Sequence, residues 1–384
     1  MQNGNRIGTG RIDTIDFWRG LVLIIIFINH VPGNIFETIT PRNFGFSDSA
    51  EAFVFIAGLS VALAWGKRIA RHDLRSVINK AWRRTFLLYT IHILLTFTAI
   101  TLFAIAFVVS SKEIFLLGHG RDVIFDAPVA ALLGVLSLGH QLGYYNILPL
   151  YILLVFLAPF LLMSAWRWPL ITLSVSFIVY AIAQAPQVNL PSWPVTGLWF
   201  LNPFAWQFVF VIGMVIGVMM RRSNVKLPTS PLLVFSAMAF IGIAALIVTN
   251  AFGFRPGLFD TVRALGGFDK TDMSVMRLTH FIALAFLLVH FRIGERILAG
   301  RFGQFMALMG RHGLGVFALG SVLSSMGQIV STVTEGTRLS GTTLTGLIVV
   351  PAGIMCLYWF ARFVERPTDT NPAEVQTHPT TAAA

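Results

Sequence analysis

A nearly unbroken aliphatic run, Gly20-Leu21-Val22-Leu23-Ile24-Ile25-Ile26-Phe27-Ile28, ends on Asn29-His30, eleven residues after Arg19. In a helix, 1.5 Å per residue carries His30 about 16 Å beyond Arg19. With Arg19 at the cytoplasmic boundary, His30 is expected near mid-bilayer, reachable only through a cavity. Imidazole is the side chain whose ordinary pKa suits proton transfer near neutrality, so His30 is a candidate general base toward a hydroxyl. The competing reading is a structural hydrogen bond to a neighbouring helix.

Other chemistry-bearing residues cluster. Lys67, Arg68, Arg71, Arg75, Lys80, Arg83 and Arg84 crowd one short stretch; guanidinium grips phosphate bidentately, although topogenic charge and lipid headgroups account for such a cluster equally well. Asp48 and Glu51, three apart on one helical face, stand before an apolar run. Either orients His30 or binds a hydroxyl; loop solvation is the alternative for both, and helix capping for Asp48. Arg311 and His312 interrupt a later run within about two turns of its end, at a depth where charge is costly. There Arg311 either polarises a carbonyl, holds a diphosphate or snorkels to the edge. The loop from Pro191 to Phe200, with Trp193, and the following Trp206 present aromatic faces suited to sugar rings or to an interfacial belt. His140, Tyr144, Tyr145 and Asn146 are candidates to line a cavity by position alone.

Some chemistry is unsupported. Cys356 stands alone, no His-Glu-x-x-His occurs, and His92, His280 and His290 lack metal-ligand spacing, so no metal site is expected. No Gly-rich loop ends in Lys-Ser/Thr, which argues against ATP-driven work. Gly213 and Gly217 are read as points of close helix approach.

The elements that must position these residues are membrane helices. Of 384 residues 55% are hydrophobic and 12% charged, with a mean hydropathy of +0.75, a balance no hydrated surface sustains. The net charge of +11 is therefore read against a bilayer rather than nucleic acid. Apolar runs long enough to cross fall near 17–36, 50–66, 84–109, 146–165, 168–185, 203–220, 231–250, 278–292, 304–331 and 342–362. The stretch 127–141 is short, ends in Gly139-His140-Gln141, and suits a re-entrant or interfacial segment. Ten crossings with both ends cytoplasmic put 19 of the 28 Lys/Arg inside and 8 outside. An eleventh crossing at 127–141 would invert everything downstream against the positive-inside bias. Arg6, Arg11 and Arg19 precede an uncleaved first span, since Val31-Pro32-Gly33-Asn34 is no cleavage site. The expectation is an all-α polytopic bundle of about ten transmembrane helices, N-in and C-in. It forms a single membrane domain over 1–366, followed by a disordered cytoplasmic tail over 367–384.

Within that frame the motifs combine. Arg11-Ile12-Asp13-Thr14-Ile15-Asp16-Phe17-Trp18-Arg19-Gly20 leads into the run ending at His30, and resembles the opening of the membrane acyltransferase-three superfamily. There an arginine separated by ten residues from a histidine marks the first span. Ser47-Asp48-Ser49-Ala50-Glu51-Ala52-Phe53 resembles the OpgC branch, as do Lys80-Ala81-Trp82-Arg83-Arg84, Asn146-Ile147-Leu148-Pro149-Leu150-Tyr151 and Gly310-Arg311-His312-Gly313 with Val316-Phe317. The resemblance implies an O-acyltransferase of the bacterial inner membrane. It would move an acyl group, succinyl in the characterised role, from cytoplasmic acyl-CoA to hydroxyls of a periplasmic glucan. His30, Glu51 and Arg19 are then the expected catalytic set, with His30 as base. Arg83, Arg84, Arg68 and Arg311 are expected to hold the donor, and Asp48, Tyr145, Asn146 and Trp193 the acceptor. Acyl-CoA is a substrate and no cofactor is expected to stay bound. The expected partners are acyl-CoA, the glucan and the bilayer, with homo-oligomerisation left open and no nucleic acid. The rival expectation is a transporter of a small anion or glycoconjugate, marked by internal repeats and paired broken helices.

Overall fold

Hydrocarbon offers backbone N–H and C=O groups no partner except each other, so a chain this apolar must close its hydrogen bonds within helices. The computed structural model describes residues 13–222, 230–251, 268–335 and 344–365, with Gly257 and Thr261. Arg6, Arg11 and the tail 367–384 lie outside the described residues. The fold is all-α. In chain order the helices are α1 (Asp13–Asn29), α2 (Ser49–Ala70), α3 (Leu74–Ser110), α4 (Ile114–Leu117), α5 (Asp122–Asp126), α6 (Pro128–Leu136), α7 (Ile147–Arg167) and α8 (Pro169–Ile182). There follow α9 (Pro203–Arg222), α10 (Pro231–Thr249), α11 (Val275–His290), α12 (Ile293–Leu298), α13 (Arg301–Arg311), α14 (Gly313–Thr334) and α15 (Val350–Val364). The last is led in by a π turn over Thr345–Val349.

Among the described residues seven helices are long and apolar enough to cross a membrane: α2, α3, α7, α9, α10, α14 and the π turn with α15. Pro169–Ile182 and Val275–His290 are apolar but shorter. The nine residues of α6 reach only about 14 Å, too short to cross, in keeping with a non-spanning segment over 127–141.

Two expected runs differ. The run 17–36 stops being helical at Asn29, because Pro32 and Gly33, the latter at φ +76°, cannot continue it. Asn34 closes the end: its amide donates to the carbonyls of Ile28 at 2.9 Å and Val31 at 2.5 Å, satisfying acceptors that a helix terminus leaves open. His30 is therefore the first residue past the helix. The run 304–331 is two helices, α13 and α14, parted at His312. Gly310 and Gly313 flank the break and weaken the helix there.

Backbones touch where glycine permits it. A Cβ on Gly58 would lie 1.9 Å from the Phe210 carbonyl oxygen, and one on Gly213 would lie 2.2 Å from that of Phe55, so α2 and α9 meet without side chains between them. Gly20 and Gly310 do the same for α1 and α13. Around these contacts sits one apolar core that includes Phe17, Leu88, Leu148, Leu154, Trp206 and Met214.

Candidate functional site

Two cavities lie along α1, α2 and α7. The first, about 440 Å³, opens toward the N-terminal half of α1 and is lined by Arg19, Ser60, Arg84, Arg311, His312 and apolar side chains including Phe53. The second, about 370 Å³, lies at the C-terminal end of α1 and is lined by Asn29, His30, Arg42, Asp48, His119, Tyr144, Asn146, Phe200 and Lys270, among others. Both volumes are in the range of small-molecule sites. The walls come within a turn of each other: Leu23 faces the first and Ile26 the second on α1, Phe53 and Ala50 divide α2, and Leu148 and Ile147 divide α7. Three helical residues rise about 4.5 Å. A thin apolar septum thus separates a cation-lined chamber from a chamber holding His30.

In the first cavity Arg19 ties three helices together. Its Nη1 donates to Asp16 Oδ1 at 2.6 Å and to the Gly310 carbonyl at 3.3 Å, and its Nη2 to Ser60 Oγ at 2.6 Å. Arg311 grips Glu365 through both carboxylate oxygens, at 2.6 and 2.8 Å. That partner satisfies the guanidinium and takes Arg311 away from an unpaired role toward a carbonyl or diphosphate. Arg84 lines the cavity and has no ion pair or hydrogen bond among the described residues. Arg83 and Arg68, expected beside it, do not line the chamber. His312, at the break between α13 and α14, lines it with Nε2 buried and without a hydrogen-bond partner among the described residues.

In the second cavity the His30 ring packs against Tyr144, centroids 5.0 Å apart and planes tilted 58°, and makes no hydrogen bond among the described residues. Its backbone carbonyl accepts from Gln328 at 2.8 Å, tying the end of α1 to α14. Asp48 lines the same space. Its Oδ1 accepts from the Ala50 amide at 2.7 Å, so it caps α2, and its Oδ2 accepts from Lys270 Nζ at 2.6 Å.

Glu51 behaves otherwise than expected. It is wholly buried, its Oε2 accepts from the Asp48 amide at 3.0 Å in a capping box, and Arg277 holds Oε1 through Nε at 2.8 Å and also through Nη2. With both oxygens engaged elsewhere and no place on the cavity wall, Glu51 belongs to an ionic lattice behind the chamber instead of orienting His30. Tyr145 also turns away: its hydroxyl pairs with Ser325 Oγ at 2.7 Å and the Ser321 carbonyl at 3.2 Å. Its neighbour Tyr144 takes the cavity position. Trp193 is half exposed on its loop and lines neither chamber, whereas Asn146 lines the second. Trp206, fully buried, donates from Nε1 to the carbonyls of Lys270 and Thr271 at 3.0 and 3.2 Å, so it holds the loop carrying Lys270 rather than offering a face. His140 is buried behind the chamber, where desolvation holds its pKa below the usual imidazole range.

Lys270, Arg277 and His119 escaped the sequence reading. Lys270 and Arg277 lie more than two hundred residues from Asp48 and Glu51, and only the surplus of buried acid at the α2 start hinted that cations must come from elsewhere. His119 sat in an irregular stretch with no helical register to place it.

Helices long and apolar enough to cross a membrane, with two cavities among them, define an all-α multi-pass membrane protein. The family model for the OpgC protein matches residues 11–368. The chain belongs to that family, which ties it to modification of osmoregulated periplasmic glucans. Comparison with curated proteins and with solved structures gave no match.

Proposed function

We propose that this protein is an O-acyltransferase of the bacterial inner membrane that passes an acyl group, succinyl by family resemblance, from cytoplasmic acyl-CoA to a hydroxyl of a periplasmic glucan. The observation that carries the reading is the meeting of two cavities across one helical turn, one lined by cations and the other by His30. In this reading the first chamber is cytoplasmic. Arg84, without a partner among the described residues, attracts the phosphates of CoA, and Arg19 and His312 lie along the path of its thioester arm. The second chamber is periplasmic and admits the acceptor.

His30 accepts the proton of the acceptor hydroxyl as its oxygen attacks the thioester carbonyl. The tetrahedral intermediate collapses, the carbon–sulfur bond breaks, and the imidazolium returns the proton to the departing thiolate. The products are a glucan ester and free CoA. The alternative route is covalent: the His30 ring nitrogen attacks the thioester carbonyl and the carbon–sulfur bond breaks to release CoA, then the glucan hydroxyl takes the acyl group as the nitrogen–acyl bond breaks and frees His30; a labelled acyl-enzyme trapped without acceptor separates the two.

Sealed proteoliposomes test the reading directly. With labelled succinyl-CoA outside and glucan inside, ester label should accumulate on the enclosed glucan. Label confined to the outer solution contradicts it. The break at His312 favours one second reading, a carrier without transfer chemistry, since discontinuous helices bind solutes in transporters. A carrier would bring labelled solute inside while the glucan mass stays unchanged.

A further inference from the structure

His119 and Tyr144 share two unusual properties. Both are non-glycine residues in the left-handed region, at φ 61° and 73°, and both line the chamber that holds His30. Such a backbone is strained for an L side chain, and strain of this kind concentrates at ligand sites. The two are locked together. The Gly143 amide donates to the His119 carbonyl at 3.1 Å, and a Cβ at Gly143 would fall 2.7 Å from His119 Nδ1. The loop before Tyr144 is thus seated directly on the His119 ring. Tyr144 in turn touches both imidazoles, with centroids 5.0 Å from His30 and 5.1 Å from His119. Neither imidazole has a hydrogen bond to its ring among the described residues, so their nitrogens remain open to a ligand.

A tyrosine face flanked by two hydrogen-bonding imidazoles, beside the Asn146 amide, matches the surface of a sugar ring, which is apolar along its C–H bonds and hydroxylated at its rim. We infer that His119 and Tyr144 form the acceptor subsite: Tyr144 carries one pyranose ring of the glucan, and His119 hydrogen-bonds a second hydroxyl of that ring while His30 faces the hydroxyl that reacts. The inference rests on the transfer reading above and adds which residues seat the acceptor. His119 stays neutral for this work, since burial and the nearby Arg121 guanidinium hold its pKa below the usual imidazole range. Its role is to position the sugar, and its loss should act on acceptor binding alone.

The test uses the full-length protein in proteoliposomes, with succinyl-CoA as donor and periplasmic glucan from cells lacking the protein as acceptor. Because the site is left-handed, His119→Asn is the suitable variant: asparagine tolerates that backbone while withdrawing the imidazole. The acceptor KM should rise about tenfold, one hydrogen bond's worth, with the donor KM within about twofold of wild type. A second readout needs no variant. Glucan should shield His119 from diethylpyrocarbonate in the wild-type protein, as read by peptide mass spectrometry, and should leave the exposed His72 as reactive as before. An unchanged acceptor KM, a change confined to the donor, or full modification of His119 under saturating glucan overturns the subsite. His30→Ala run in parallel separates the two levels. If it is inactive while His119→Asn behaves as wild type, the subsite fails and the transfer reading stands. If the wild-type protein places no label on the glucan, the transfer reading itself fails.

Discussion

Arg277 Nε lies 2.8 Å from Glu51 Oε1, and that carboxylate is completely shielded from solvent. The pair joins α11 to the first turn of α2 and continues outward through Asp48 to Lys270 on the wall of the second chamber. A buried charge left without its partner is costly, about 3–5 kcal/mol. A lattice of this kind fixes the N-terminus of α2, and with it one wall of the space that His30 faces.

Breaking the lattice on one side should therefore hurt more than replacing both sides. Arg277→Met and Glu51→Met should each lower the stability of the purified protein by about 3–5 kcal/mol. The double variant should lose well under the sum of the two. Thermal unfolding in detergent measures all three, and strictly additive losses would argue that the two side chains do not act as a pair.

The glycine contacts make a sharper structural forecast. Gly58→Val drives a side chain into the Phe210 carbonyl and should exceed the ~1–3 kcal/mol of ordinary overpacking, leaving little monodisperse protein on size exclusion. Gly242→Ala in α10, where a Cβ meets nothing within 4 Å, should elute like wild type. Equal behaviour of the two would show that α2 and α9 are not packed backbone to backbone.

His140 predicts a pH dependence of stability. Its buried ring is held below the usual imidazole pKa, so between the lowered value and about 6.5 the unfolded chain binds a proton that the folded chain does not. Stability should fall as pH drops through about 6.5 and be fully present above it. Replacement by Gln should make that fall shallower in melting curves from pH 7.5 to 5; an unchanged slope would mean His140 titrates normally in the fold.

Phe53 stands in the septum, stacked edgewise on Tyr151 at 5.6 Å and near Phe317 at 6.0 Å. Shortening it to Leu widens the route between chambers. Longer acyl-CoA donors should then compete better against succinyl-CoA, by roughly the 10-fold scale that a methylene or two confers, with acceptor preference unmoved. Donor ratios identical to wild type would place the acyl group's path elsewhere.

Much of this architecture was legible in the residues. Hydropathy located most of the long helices, because every long apolar run must close its own backbone bonds, and within 127–141 stands the nine-residue helix α6. Gly213 marked a point of close helix approach, and the structure supplies α2 as the partner. The misreadings share one cause: partners brought together by tertiary packing. Glu51 looked like an orienter because nothing near it in sequence revealed Arg277. Arg311 was left between a carbonyl, a diphosphate and the membrane edge because its partner Glu365 lies 54 residues on. Tyr144 and Tyr145 cannot be told apart by type, and only the left-handed turn at Tyr144 decides which ring meets His30.

The central claim is that His30 performs transfer, and glucan mass answers it most directly. Periplasmic glucans should be compared from cells lacking the protein and from cells making wild type or His30→Ala at equal membrane levels. The account predicts an added acyl mass on the glucan with wild type and none with His30→Ala. The same added mass with His30→Ala would contradict it.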